Sequence, residues 1–150
     1  MNILFVCRGN LCRSPMAEAL LKKKYADHRL NGEIDSAGFE SFHINEPPHN
    51  KAIEVGKKFG LELDGKARLF SKKDFVRFDK IYVMDELSYC DVLELAHTKA
   101  DKSKVDYLMN VIYPGKNQIV PDPIYSGIED CESVYSILEE VTDKIIDQIK

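Results

Sequence analysis

The sequence predicts an α/β fold in which a parallel sheet lies between two layers of helices. Short apolar runs alternate with longer amphipathic stretches along the 150 residues, as expected of parallel strands joined by helices. The first run, residues 2–7, is almost wholly apolar, which is typical of a strand buried on both faces. No repeat or linker divides the chain, so we expect one domain over residues 1–150.

Each element can be placed in turn. After the first strand, Ser14 and Pro15 predict a helix start, because serine is a good N-cap and proline suits the first helical position. The three lysines at 22–24 are expected on the solvated face of that helix. An apolar face within 134–149 predicts a final helix. The elements between are predicted at 33–37 (strand), 49–59 (helix, ended by Gly60), 80–84 (strand) and 86–97 (helix), with a fourth strand somewhere within 105–111.

The composition argues against two classes of partner. A formal net charge of -4 at pH 7 is unlike the basic face of a general nucleic-acid binder. No apolar run is long enough to span a bilayer, and the run before Cys7 is too short for a secretion signal. We therefore expect a cytoplasmic protein with neither nucleic-acid nor membrane partners, whose thiols stay reduced.

The cysteines do not have the spacing of a metal site. Cys7, Cys12, Cys90 and Cys131 lack the paired Cys-x2-Cys pattern, and the four histidines are scattered along the chain. We therefore expect no bound metal and no cofactor.

The segment that joins the first strand to the first helix has the residue types of an anion-binding loop. Backbone N–H groups at the start of a helix attract anions, and the guanidinium of Arg13 can hold two oxygens of a phosphoryl group. These groups also stabilise a thiolate at Cys7, to which Ser14 can donate a hydrogen bond. Gly9 and Asn10 tolerate the positive φ that such a loop needs. The loop comprises Cys7, Arg8, Gly9, Asn10, Leu11, Cys12, Arg13 and Ser14.

Taken singly, these residues have ordinary explanations. A cysteine is often buried at a strand end, Gly9 and Asn10 suit any turn, and Ser14 could serve only as an N-cap. The ordered set Cys-x5-Arg-Ser-Pro between a strand and an amphipathic helix is far more specific. It indicates a nucleophilic thiol beside bound phosphate. Because ligands of such folds bind beyond the carboxyl ends of the strands, Asp85 and the loop at 112–127 should lie nearby.

The segment from Val6 to Ala19 closely resembles the signature of the low-molecular-weight protein tyrosine phosphatases. The resemblance continues, in order and spacing, through Asp35-Ser36-Ala37-Gly38, Ala67-Arg68, Met84-Asp85 and Asp122-Pro123-Ile124-Tyr125. It implies a flavodoxin-like fold with a four-stranded parallel sheet, and phosphotyrosine hydrolysis through a phosphocysteine on Cys7 without metal. It also implies phosphotyrosine proteins as partners, and inorganic phosphate and other oxyanions as competing ligands.

The resemblance assigns roles that the residues alone leave open. Asp122 lies in a stiff Pro-Asp-Pro segment and could equally be a turn residue; the resemblance implies that it is the general acid and base. It also implies that Phe42 and Tyr125 form walls of the substrate pocket, with His43 beside them. Cys12 would form a reversible disulfide with Cys7 under peroxide.

Three features of the sequence bear on the reaction specificity and on the support of the loop. Phosphoarginine-directed relatives tend to carry threonine where this chain has Leu11, so the aliphatic side chain fits the tyrosine-directed type. Arsenate-reducing relatives need two further cysteines after the third strand, where this chain has only Cys90. A histidine that supports the loop asparagine in the family is replaced by Gly65; His43 or His49 could take its place. A catalytically silent phosphate-binding module is disfavoured because the nucleophile, arginine and acid are all present.

Overall fold

The computed structural model describes residues 1–124 and 126–150. Its helices and strands follow the predicted alternation. In chain order they are β1 (Ile3–Val6), α1 (Arg13–Asp27), β2 (Ile34–Ala37), α2 (Asn50–Lys58), α3 (Asp74–Arg77), β3 (Lys80–Val83), α4 (Glu86–Leu95), α5 (Lys99–Ser103), β4 (Val105–Tyr107) and α6 (Ile128–Ile149). Short 3-10 helices cover Ser41–His43 and Leu108–Val111. No helix in the described part of the chain is long and apolar enough to cross a membrane.

The four strands form one parallel sheet in the order β2-β1-β3-β4. Ile3 in β1 lies opposite Ile34 in β2 and Lys80 in β3. The strand ends are therefore nearly level, and the loop after β1 leaves the centre of the sheet. This confirms the predicted three-layer α/β fold and places Cys7 at the carboxyl edge, where such folds bind ligands.

Two apolar clusters cover the two faces of the sheet. Ile3 and Phe5 point into a cluster with α1, α2 and α6, whereas Leu4 and Val6 point into another with α4 and the segment before β3. All four side chains are fully buried. The continuous apolar run of β1 thus reflects burial on both faces, as predicted.

The range 105–111 holds the fourth strand over Val105–Tyr107, followed by a 3-10 helix over Leu108–Val111. At this change the Asp106 carboxylate accepts hydrogen bonds from Tyr107 N (2.9 Å) and Asn110 Nδ2 (2.7 Å). Two short helices were missed, and one expectation was wrong. α3 and α5 were not predicted; they span only four and five residues, too few for a periodic pattern. Lys24 is buried rather than solvated, and its ammonium donates to Thr142 Oγ1 at 2.6 Å and lies 2.9 Å from Asp143 Oδ1.

Candidate active site

An open cleft of about 530 Å³ lies at the carboxyl edge of the sheet. The loop after β1 forms its floor and Asp122 lies at its edge. The structure therefore brings the predicted acid, Asp122, to the loop that carries the predicted nucleophile, Cys7, and the predicted phosphate ligand, Arg13. The lining residues are Cys7, Arg8, Gly9, Leu11, Cys12, Arg13, Glu40, His43, Asp122 and Ile124.

The loop backbone owes its curvature to Asn10 and its position to Gly38. Asn10 has φ of 58°, in the left-handed region, whereas Gly9 is not among the residues with positive φ; the expectation for Gly9 was wrong. A Cβ at Gly38 would lie 2.7 Å from Arg8 O, so only glycine lets β2 approach so closely. Arg8 O in turn accepts a hydrogen bond from Phe39 N at 2.8 Å.

Ser14 serves the thiol rather than the helix end. α1 begins at Arg13 with Cys12 as its N-cap, so the prediction of Ser14 as N-cap was wrong. Its hydroxyl shares a 3.0 Å hydrogen bond with Cys7 Sγ and accepts one from Asn10 Nδ2 at 2.8 Å. Ser14 is fully buried, so this contact holds the sulfur in one position.

Asn10 is held from behind by β2 and by the segment before α3. Its Nδ2 also donates to Ser36 Oγ at 2.9 Å, and its Oδ1 accepts from Arg68 N at 3.0 Å. Ser36 Oγ donates to Glu18 Oε1 at 2.5 Å. A chain of hydrogen bonds therefore runs from the thiol through Asn10 to the Glu18 carboxylate on α1, and sequence reasoning missed its last two members.

Gly65 lies beside a second, small cavity behind the loop. Asn10 and Glu18 also line this cavity, and a Cβ at Gly65 would meet no atom within 4 Å. The two histidines proposed as substitutes are engaged elsewhere: His49 caps α2, and His43 Nδ1 lies 3.0 Å from Glu46 Oε2.

Arg13 is oriented by contacts from two other loops. Its Nη2 lies 2.9 Å from Asp85 Oδ2 and 3.6 Å from Asp122 Oδ2, and its Nη1 donates to Val120 O at 2.8 Å. Sequence reasoning placed Asp85 at this edge of the sheet but did not link it to Arg13. Asp85 has a second role, since its Oδ1 accepts from Ser88 N at 2.8 Å and caps α4.

The acid and the proposed pocket walls differ in how far they are buried. The side chain of Asp122 is 44% exposed, and its Oδ1 accepts from Ile124 N at 3.1 Å. His43 lines the cleft. Phe42 packs against the His43 ring, with ring centroids 4.3 Å apart, and is 71% exposed. The third predicted wall, Tyr125, lies outside the described residues.

The four cysteines are free thiols in four different settings. Cys12 belongs to the loop and is 5% exposed, like its neighbour Leu11. The sulfur of Cys12 lies 3.9 Å from that of Cys131 on α6, a neighbour that no local sequence pattern predicts. Cys90 is exposed on α4.

The chain resembles known proteins over almost its whole length. Residues 2–150 match the model of the family described as low molecular weight phosphotyrosine protein phosphatase. The protein of that name from Gallus gallus is 37% identical over 137 residues, which cover 89% of this chain and 86% of that protein. A protein tyrosine phosphatase from Entamoeba histolytica superposes with a TM-score of 0.92 at 35% identity, covering 99% of this chain and 96% of its own. A Drosophila arginine phosphatase also superposes with a TM-score of 0.92, at 30% identity, covering 100% and 98%. On these matches, the chain belongs to the low molecular weight phosphotyrosine protein phosphatase family.

Proposed function

We propose that this protein hydrolyses phosphotyrosine in proteins, and small aryl phosphates, through a phosphocysteine intermediate on Cys7. The observation that carries the proposal is the convergence of Cys7, Arg13 and Asp122 on one cleft. The thiol, the guanidinium and the carboxyl group are the nucleophile, the phosphate ligand and the proton donor that the reaction requires.

The phosphoryl group would bind between Arg13 and the backbone N–H groups of the loop. A guanidinium has five N–H donors, and the contacts to Asp85 and Val120 leave others free for phosphoryl oxygens. The N-terminus of α1 adds a favourable field for the anion. The Entamoeba phosphatase carries Hepes in its active site; here inorganic phosphate and other oxyanions would compete with substrate for the loop.

The first step forms the Cys7 S–P bond and breaks the bond from phosphorus to the tyrosine oxygen. Asp122 would donate its proton to that departing oxygen. Its carboxylate lies 3.6 Å from Arg13 Nη2, so it is adjacent to any phosphoryl group that the guanidinium holds. In the second step water attacks phosphorus, the S–P bond breaks and Asp122 takes the water proton. Ser14, 3.0 Å from the sulfur, would stabilise Cys7 as the leaving thiolate.

The substrate class follows from the loop and the rim of the cleft. A phosphotyrosine ring would pack on the aromatic side chains at the mouth, with Phe42 beside His43 on one side. Leu11 presents an aliphatic side chain to the cleft, which favours an aromatic ring over a charged guanidinium. Because a Drosophila relative is named an arginine phosphatase, phosphoarginine is the alternative substrate to compare with phosphotyrosine.

An aryl phosphate assay with matched cysteine variants tests the mechanism. We expect Cys7→Ser to lower kcat by several orders of magnitude, while Cys90→Ser on the exposed face of α4 retains the wild-type rate. Turnover should resist chelators and be blocked by vanadate. Wild-type activity in Cys7→Ser would refute the phosphocysteine mechanism.

A comparison of three phosphopeptides tests the substrate class. With one peptide scaffold carrying phosphotyrosine, phosphoarginine or phosphoserine, kcat/KM should be highest for phosphotyrosine. A preference for phosphoarginine would refute the assignment made from Leu11 while leaving the thiol chemistry intact. A Leu11→Thr variant should narrow the gap between phosphotyrosine and phosphoarginine.

A further inference from the structure

The thiol closest to Cys12 comes from the last helix. Cys131 lies in the first turns of α6 and is fully buried, with its sulfur 3.9 Å from that of Cys12. Cys7, by contrast, directs its sulfur to the Ser14 hydroxyl. Two cysteines that are 119 positions apart in sequence therefore form a close buried pair directly beneath the phosphate-binding loop.

The pair can become a disulfide with little movement. A disulfide needs its sulfurs about 2 Å apart, so the gap must close by roughly half. Cys12 is the N-cap of α1, outside the regular helix, and its side chain can turn without disturbing helical hydrogen bonds. The close packing of α1 against α6 holds the two backbones in place.

The protonation of the two thiols is unequal. The hydrogen bond to Cys131, aided by burial, raises the pKa of the Cys12 thiol. The same hydrogen bond, with help from the charge of Lys51, lowers the pKa of Cys131. Cys131 is thus the better source of thiolate, and a thiolate is the form that attacks sulfur.

Solvent reaches the two thiols differently. Cys12 lines the cleft beside Cys7, whereas Cys131 is absent from the cleft lining and lies behind Cys12. An oxidant that enters the cleft therefore meets Cys7 and Cys12 first. Cys131 can then be oxidised by thiol–disulfide exchange with Cys12.

We propose that Cys131 is a resolving cysteine that ends the oxidation of this site as a Cys12–Cys131 disulfide and returns Cys7 to its thiolate. The inference rests on the proposed function only in treating Cys7 as the reactive thiol. The oxidant is a hydroperoxide, which is reduced to an alcohol or water. The Cys12 and Cys131 thiols together supply the two electrons.

Three steps balance this exchange. The Cys7 thiolate attacks the hydroperoxide, its O–O bond breaks, and sulfenic acid and an alkoxide or hydroxide form; the latter takes a proton from water. Cys12 then attacks the Cys7 sulfur, a Cys7–Cys12 bond forms, and the sulfenic oxygen leaves as water with the Cys12 proton. Finally the Cys131 thiolate attacks the Cys12 sulfur, and the electron pair of the broken bond leaves on Cys7.

Tryptic mapping under non-reducing conditions reads the outcome directly. Cleavage after Arg8, Arg13, Lys116 and Lys144 puts Cys7, Cys12 and Cys131 on separate peptides, and the Cys90 peptide ends at Lys99. After wild-type protein is treated with hydrogen peroxide and free thiols are alkylated, the peptides of Cys12 and Cys131 should be linked and Cys7 alkylated. A persistent Cys7–Cys12 link with alkylated Cys131 would overturn the proposal.

A pair of variants supplies the functional arm. In Cys131→Ala, peroxide should leave Cys7 as a Cys7–Cys12 disulfide or as irreversible sulfinic acid. The activity measured after peroxide, before any reductant is added, should then fall at least about two-fold below that of wild type, whose Cys7 has returned to the thiolate. Cys90→Ala, which alters an exposed thiol, should keep the activity of wild type. Equal activity of all three proteins before reduction would also overturn the proposal. Cys131→Val provides a second core replacement if the alanine variant folds poorly.

These measurements separate this inference from the proposed function. A wild-type protein that hydrolyses aryl phosphates through Cys7 but forms no Cys12–Cys131 link refutes the inference alone. A Cys7→Ser variant that keeps its activity, in a protein whose wild type forms the link, refutes the phosphatase mechanism instead.

Discussion

Asp85 Oδ2 lies 2.9 Å from Arg13 Nη2, while the other oxygen of the same carboxylate caps α4 through Ser88 N. One side chain therefore caps the helix that follows β3 and helps to orient the guanidinium in the cleft. The Arg13 side chain is only 4% exposed, so the nearby Asp85 carboxylate balances its charge and, together with Val120 O, sets its direction.

Replacement of Asp85 should impair phosphate binding without unfolding the protein. In Asp85→Asn the side-chain oxygen can still cap α4, because asparagine is a good N-cap, but the ion pair with Arg13 is lost. We expect kcat/KM for an aryl phosphate to fall about 10–100-fold, with a far-UV spectrum like that of wild type. Asp91→Asn, which breaks the partly exposed ion pair of Arg8, is the matched control and should change the rate little.

The leaving group should decide how much an Asp122 variant loses. For Asp122→Ala we expect a fall of about 10²–10⁴-fold in kcat/KM with phenyl phosphate, whose oxygen needs a proton to depart. The loss should be much smaller with a nitrophenyl ester. Equal losses on both esters would show that this carboxyl group does not donate the proton.

Ser36 offers a test of the support behind the loop. Ser36→Ala removes the acceptor of Asn10 Nδ2 and the donor to Glu18, leaving buried polar groups without partners. The free energy of unfolding should fall by about 1–3 kcal/mol, and kcat should fall because Ser14 and Cys7 lose their fixed geometry. Ser41→Ala on the exposed 3-10 helix should change stability by less than about 0.5 kcal/mol. Urea unfolding with parallel kinetics measures both.

Two glycines in open surroundings should respond oppositely to alanine. A Cβ at either Gly65 or Gly60 would meet no atom within 4 Å, but only Gly60 has positive φ, at 77°. Gly65→Ala should raise the free energy of unfolding by about 0.4–1 kcal/mol by restricting the unfolded chain. Gly60→Ala should lower it by about 1 kcal/mol, since alanine is strained in the left-handed region. A loss of stability in Gly65→Ala would show that the backbone there needs glycine.

The strands and the loop could be predicted because their signals are local. β1 is a continuous apolar run, and the loop residues are consecutive, so their types alone indicate anion binding. Gly60 was correctly predicted to end α2, since a helix end depends on a few neighbouring residues. Family resemblance supplied what local chemistry could not, above all the role proposed for Asp122.

The features that could not be predicted depend on contacts between side chains that local sequence patterns do not encode. Lys24 is like its neighbours Lys22 and Lys23 in sequence, but α6 supplies acceptors for its ammonium alone among the three. Ser14 has the residue type of an N-cap, but in the structure its hydroxyl bonds the Cys7 sulfur instead. The Cys12–Cys131 contact requires α1 and α6 to pack in a given register, which no pattern within either helix encodes.

The first two turns of α1 carry Arg13, Ser14 and Glu18, and its later turns contribute Leu20, Leu21 and Tyr25 to the buried core. Substrate recognition and thermodynamic stability are therefore carried by one continuous helix. Denaturant titrations should lose turnover and helical signal together, and refolding should restore them at one rate. The cleft does not need a separate maturation step, because it is assembled when α1 docks on the sheet.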